Sequence, residues 1–363
     1  VKQVCLLCER IAADSNLFCQ EIYCPTERSP LILGQGDWLG EIEIVNVVSV
    51  TRTATLYEAM QQKQKVYLKV AHPGQEHKAR LQREAEFFNR MQGNLRFSHL
   101  LPQLLPPYTN TTLKRDLIGK SMVGEHLLYF FLFAYIEAEP LRDLLMKNPQ
   151  LWIQHIGWIT QQLTAAVGFL HSKQFLHFAV RPESILVRFD KENVPRIVLV
   201  DLGIATTMRD YQSTWVGQIV PPAYTAPELL DRNYQPDLRT DVYGVGQVLY
   251  EMLVGQSMYV HRLQSDAAVL EAVQNNRRIR MNRIEDVDDT AQIAINTTAG
   301  LSEWENRPKD LRTVGSKLQR IFGDVPEEKK SRLPRRRTIY AAALALLVIV
   351  ILILVAIFFP LGG

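Results

Sequence analysis

Ile42 to Val50 is rich in β-branched residues and alternates along the chain, and Lys65 to Val70 alternates again, the period of strands with one face turned inward. From Ala79 to Met91 apolar residues return at helical spacing, and a further strand pattern follows through Leu127 to Tyr135. The pattern then lengthens. Trp152 to Ser172 and Asp241 to Val254 each read as a long helix. A β-rich half followed by a helical half predicts an α+β layout. No internal repeat is present.

A different pattern closes the chain. Ala341 to Pro360 holds no charged or strongly polar residue, and about 20 such residues in a helix rise about 30 Å, the thickness of a bilayer core. This predicts a transmembrane helix over 339–360. Lys329, Lys330, Arg332, Arg335, Arg336 and Arg337 lie just ahead of it, so the positive-inside rule puts the preceding portion on the cytoplasmic side of a single-pass membrane protein. No stretch resembling a signal peptide occurs near Val1, in keeping with that orientation. The formal net charge of +3 over 363 residues is concentrated in this cluster and predicts no nucleic-acid surface.

All four cysteines, Cys5, Cys8, Cys19 and Cys24, fall in the first 24 residues. In a reducing compartment disulfides are the less favoured use, and Cys-x2-Cys followed by Cys-x4-Cys offers four thiolates to one tetrahedral Zn2+. The second spacing is looser than usual, so redox-active thiols and disulfides remain as alternatives. The segment resembles a zinc ribbon, and metal binding would supply most of its stability. With only Lys2, Arg10 and Phe18 as contacts for nucleic acid, no such partner is expected. The organisation read from these signals is a four-cysteine module at 1–28, a linker at 29–40 marked by Pro30, Gly34 and Gly36, and a main domain at 41–322. A charged juxtamembrane linker at 323–338 and the membrane helix at 339–360 follow.

Within the main domain several short motifs occur in a fixed order. Val66-Tyr67-Leu68-Lys69 sits on a strand, Arg83-Glu84-Ala85 on the next helix, and His177-Phe178-Ala179-Val180-Arg181-Pro182-Glu183-Ser184-Ile185-Leu186 on a later loop. Asp201-Leu202-Gly203 follows the apolar strand Ile197 to Val200, then come Ala226-Pro227-Glu228, Asp241-Val242-Tyr243-Gly244 and Arg307-Pro308. Together these resemble the protein kinase superfamily, in its bacterial serine/threonine form with a four-cysteine prefix, over about residues 40 to 322. The resemblance implies a bilobal fold of a small β-rich lobe and a large helical lobe. It implies that Lys69, Glu84, Ser184 and Asp201 hold ATP if nucleotide binding is retained, with Asp201 on Mg2+. It also implies that Arg307 pairs with Glu228, read here as a surface ion pair of little energetic weight.

The departures from the family shape the functional expectation. Ala179 stands where the family has the aspartate that orients the substrate hydroxyl and accepts its proton, so no intact catalytic residue is assigned. Ser184 replaces an asparagine that binds metal, and its hydroxyl is at most a weak oxygen ligand. Phe178 replaces the arginine that docks a phosphorylated activation loop, and Pro221 a threonine that contacts the missing aspartate. Ser49 to Ala54, in place of the glycine-rich loop, holds no glycine to let backbone amides approach a phosphate. Tyr67 takes the place of a small alanine against the adenine, on the same strand face as Lys69. The expectation is a membrane-tethered pseudokinase, a binding, scaffold or nucleotide-sensing module with a protein partner in signalling. Its alternative is a divergent active serine/threonine protein kinase, since general-base assistance is worth only about 10² to 10⁴ in rate.

Overall fold

The computed structural model describes residues 3–4, 11–12, 19, 32–92, 97–108, 116–202, 204–216, 219–261, 264–281 and 288–328. Two short strands, β1 (Gln3–Val4) and β2 (Ile11–Ala12), pair antiparallel near the start. Seven strands then build one antiparallel sheet among the described residues: β3 (Trp38–Leu39), β4 (Ile42–Val50), β5 (Ala54–Gln61), β6 (Gln64–Ala71), β7 (Leu104–Leu105), β8 (Gly119–Val123) and β9 (His126–Ala134). The order is β3-β4-β5-β6-β9-β7, with β8 on β9. Helix α1 (Gln75–Met91) connects β6 to the later strands and starts four residues before the apolar period, because its first turn is polar.

The alternation expected for β6 is visible in what each face buries. Val66, Leu68 and Val70 pack into one apolar cluster with Ile44, Tyr57 and Leu132. Tyr67 and Ala71 face the opposite way, into the core shared with α1 and the helical lobe. Lys69 lies on that second face, so the period of two carries an ammonium group into the space between the lobes.

The second lobe begins with β10 (Glu139–Pro140) and α2 (Leu141–Lys147), followed by α3 (Ile153–Ser172). Strands β11 (Ile185–Phe189) and β12 (Pro195–Leu199) make a small sheet with β10. Helices α4 (Leu238–Val254), α5 (Asp266–Gln274), α6 (Asp288–Thr297) and α7 (Leu311–Phe322) follow. The α4 helix is held at its start by the Asp237 carboxylate, which accepts from the Arg239 N–H at 2.7 Å, and stopped by Gly255 at φ 79°. Most of its residues from Thr240 to Met252 are buried, and each fully buried large apolar side chain is worth roughly 1.5–3 kcal/mol. This α4 axis is the pillar of the lobe. Gly246 lets α6 approach it, since a Cβ there would lie 2.4 Å from Thr297 Oγ1.

The Arg307–Glu228 ion pair, expected as a surface bridge, is present at 2.8 Å but lies in the interior. Neither side chain exposes any surface, so the energetics of a surface bridge do not apply. The chain divides into two units, Val1–Val325 and Pro326–Gly363. Of the second, only 326–328 are described, and the expected membrane helix lies outside the described residues. Among the described residues no helix is long and apolar enough to cross a membrane. Cys19 is buried; Cys5, Cys8, Cys24 and Gly203 lie outside the described residues. No group of three or more metal-ligating side chains occurs among the described residues.

Candidate functional site

Between the lobes, β6 supplies Lys69, α1 supplies Glu84, and the turn after β12 supplies Asp201. Lys69 Nζ donates to both Glu84 oxygens at 2.7 Å and to Asp201 Oδ1 at 2.8 Å. Glu84 Oε1 accepts a further bond from the Leu202 N–H at 2.6 Å, which ties α1 to the turn. Three of the four residues expected at a nucleotide site therefore meet. Ser184, the fourth, is fully buried, but its Oγ makes no hydrogen bond among the described groups.

Asp201 has a second cation that the motif reading did not assign. Arg181 Nη2 donates to Asp201 Oδ2 at 2.8 Å, so each carboxylate oxygen faces a positive group. Burial opposes ionisation of Asp201, but the Lys69 ammonium and the Arg181 guanidinium override it and hold the carboxyl far below its ordinary range. Burial likewise works against the charge on Lys69, and the Asp201 and Glu84 carboxylates reverse the balance and raise its pKa. Glu84, buried and sharing its lysine with Asp201, is pushed up to about 7.

The loop that carries Ala179 keeps a strained backbone. Phe178 stands at φ 63°, a left-handed conformation that costs a bulky residue of order 1–3 kcal/mol unless its surroundings enforce it. Asp241, at the start of α4, enforces it: its carboxylate accepts the His177 N–H at 2.7 Å, the Phe178 N–H at 2.8 Å and a ring nitrogen of His171 at 2.8 Å. At the tip of this clamped loop Ala179 is buried and offers only a methyl group. Phe178 stacks on Tyr211 with ring centroids 4.8 Å apart, Tyr211 meets Trp215 edge-on at 5.9 Å, and the Arg80 guanidinium lies 4.0 Å above Trp215. The segment after Asp201 is thus fixed to α1 through aromatic contacts.

The roof and back of the cleft also depart from the family. Thr51, Arg52 and Thr53 form the turn between β4 and β5, at the place of the glycine-rich loop, and both threonines are buried. Thr51 Oγ1 donates to Ala54 O at 2.9 Å, and the His72 ring nitrogen lies 2.8 Å from Thr51 O. Tyr67 is fully buried, stacked on Phe133 at 5.1 Å and tilted against Tyr135 at 5.2 Å. Its hydroxyl donates toward Ile136 O at 3.0 Å and lies 3.3 Å from Ala138 O, both in the connector between the lobes.

A further polar cluster escaped the motif reading because its members are scattered along the chain. Arg142 of α2 donates from Nε to Glu183 Oε1 at 2.7 Å and also bonds Glu251 of α4 and the Tyr224 hydroxyl. Burial opposes the charge on Glu183, and the Arg142 and Arg181 guanidinia hold its carboxyl below the ordinary value. Pro221, expected to lack a contact to the missing aspartate, instead accepts the Thr225 hydroxyl at its backbone oxygen at 3.0 Å.

Fold and cleft are those of a protein kinase domain, with a β-rich lobe over a helical one and a lysine, glutamate and aspartate meeting between them. A family model described as the protein kinase domain matches residues 118–318, more than half of the chain, and the chain belongs to that family. The match starts just before β8, so Lys69 and Glu84 are placed by the fold. Among similar proteins, Serine/threonine-protein kinase ULK3 of Rattus norvegicus is 35% identical over 121 residues, covering 33% of this chain and 24% of that protein. Death-associated protein kinase 2 of Mus musculus is 29% identical over 153 residues, 40% of each chain. Serine/threonine-protein kinase PrkC of Bacillus subtilis is 26% identical over 130 residues, 36% of this chain and 19% of that protein. The chain thus spans less than half the length of these relatives.

Family membership implies use of ATP with Mg2+. Lys69, Glu84 and Asp201 fit that role in kind and position. The surrounding side chains do not fit it: both Asp201 oxygens face cations of the chain itself, and Tyr67 fills the position of the small residue beside adenine.

Proposed function

We propose that this chain is a membrane-anchored pseudokinase, a protein kinase fold working as a binding or scaffold module in signalling. The observation that carries the reading is the loop around Ala179. Asp241 holds that loop in a strained, ordered conformation, so its architecture is maintained while the position that would accept a substrate proton is a methyl group. The intact Lys69–Glu84–Asp201 bridge favours a second reading, a divergent active serine/threonine kinase, as does the chain's similarity to serine/threonine-protein kinases. Incubating the full chain with labelled ATP, Mg2+ or Mn2+ and general protein substrates separates them. No transfer above background is expected; transfer that disappears in Lys69→Met and Asp201→Asn would establish the active kinase instead.

Two appendages complete the proposal. The Cys5-x2-Cys8 and Cys19-x4-Cys24 spacing, with Cys19 buried, supports a Zn2+-bound module at 1–28 as a second interaction surface. Zinc content unchanged in the Cys5→Ser, Cys8→Ser double variant would refute that assignment. The apolar run at 339–360 behind its basic cluster supports a single-pass anchor with the domain at 41–322 on the cytoplasmic side, joined by the linker at 323–338. Release of the full chain from membranes by alkaline carbonate would count against the anchor.

A further inference from the structure

We infer that the cleft between the lobes is filled and neutralised by the chain's own side chains, Tyr67 on the adenine side and Arg181 at Asp201, and that it takes neither a divalent cation nor a nucleotide. This deepens the pseudokinase reading and rests on it for the part played by Ala179.

Arg181 is buried, and a buried guanidinium needs an anion because desolvation of an unpaired charge is costly. With a methyl group at residue 179, the anion it meets is Asp201, at 2.8 Å. That bond places a fixed cation on the oxygen that a metal ion would need. Lys69 covers the other oxygen at 2.8 Å, so both oxygens of Asp201 are taken by cations of the chain itself. A divalent cation entering this set must either displace Arg181 from Asp201 inside the buried cleft, or add two positive charges beside the two cations already there. Both are unfavourable at low dielectric. Ser184 Oγ, the remaining oxygen candidate, is buried and offers one weak neutral donor.

Tyr67 closes the other half independently. Its ring is held by Phe133 and Tyr135, and its hydroxyl uses the carbonyl of Ile136 in the connector between the lobes. Swinging it out would break an aromatic stack and leave both a phenol and a carbonyl to find new partners. Above it, the Thr51–Thr53 turn satisfies its polar groups internally and through His72, and Arg52 at its tip bonds Asp266 of α5 at 2.8 Å, so the upper lobe touches the lower across the mouth of the cleft. The bridge from α1 to the turn at Asp201 is therefore closed by the chain's own side chains, and the surfaces it organises need no nucleotide to hold them together.

The test uses the full chain and ATP, with and without Mg2+ or Mn2+, read by thermal shift and by equilibrium dialysis of labelled ATP; Mn2+ alone is read by its electron paramagnetic resonance. For the wild type, no shift in Tm, no saturable ATP binding and no immobilised Mn2+ are expected at millimolar ligand. Arg181→Ala is expected to gain Mn2+ binding that Asp201→Asn abolishes, and Tyr67→Ala with Arg181→Ala to gain metal-dependent ATP binding by on the order of tenfold or more. A wild type that binds Mg-ATP without transferring phosphate would overturn this inference and leave the pseudokinase reading standing, whereas transfer would overturn both. A folded double variant, by circular dichroism, that gains nothing would overturn the assignment to these two residues. If the variants do not fold, the wild-type measurement alone decides.

Discussion

Arg307 carries a full charge with essentially no exposed surface, which water cannot stabilise, so its surroundings must. Nη1 donates to Glu228 Oε1 at 2.8 Å and to Arg239 O at 3.2 Å, Nη2 donates to Ala299 O at 2.6 Å, and the plane of the group lies between Tyr243 and Trp304 at 4.7 and 4.6 Å. Only a planar guanidinium satisfies this set; the ammonium of lysine has neither the fork nor the stacking face. Removing one partner of such a pair leaves the other charge buried, so Arg307→Ala is expected to lose about 3–5 kcal/mol in urea unfolding. Glu228→Gln combined with Arg307→Met should cost less than the sum of the two single changes. Additive losses would mean that the pair does not act as one unit.

The hairpin from β5 to β6 turns through Gln62 and Lys63, at φ 47° and 65°, a left-handed pair that asparagine and glycine adopt most readily. Gln62→Asn with Lys63→Gly should therefore stabilise the small lobe by roughly 1 kcal/mol, seen as a higher urea midpoint with an unchanged slope. A lower midpoint would show that the turn is not under backbone strain. The same hairpin shows why some elements were legible in the sequence and others were not. The alternation of β4 and β6 was plain, and so were the long periods of α3 and α4, because each repeats a pattern over many residues. The turn between β5 and β6 carries no turn residue to mark it, and α1 opens on the polar stretch Gln75–Lys78, ahead of its first apolar contact. In the cleft, Lys69, Glu84 and Asp201 were legible as short motifs. Arg181 was read past because its partner is set by a missing side chain at residue 179, and Arg142 because Glu183, Tyr224 and Glu251 converge on it from distant segments.

At the scale of the whole molecule, histidines in both lobes set the response to acid. Burial lowers His72 to about 4, with the neighbouring His77 ring 5.9 Å away adding to the effect and the bond to Thr51 opposing it. Burial also lowers His77, His155 and His177. A histidine whose folded-state pKa lies below its ordinary 6.5 binds fewer protons folded than unfolded, so its contribution to stability is complete above about pH 6.5 and is lost as the pH falls toward 4. For His72 a displacement of that size corresponds to roughly 3 kcal/mol. Glu84, pushed up to about 7, acts in the opposite sense in the same interval, since its folded form holds a proton that the unfolded chain releases. The two offset each other in the wild type, so the histidine contribution is read as a difference. His72→Asn keeps a donor for Thr51 O and removes the titration. Its stability relative to the wild type, from urea unfolding, should rise by up to roughly 3 kcal/mol between about pH 7.5 and about pH 4.5. A difference that stays constant across that range would mean that His72 is charged, or reached by water, in the folded protein, and that the roof over the cleft opens at the turn it seals.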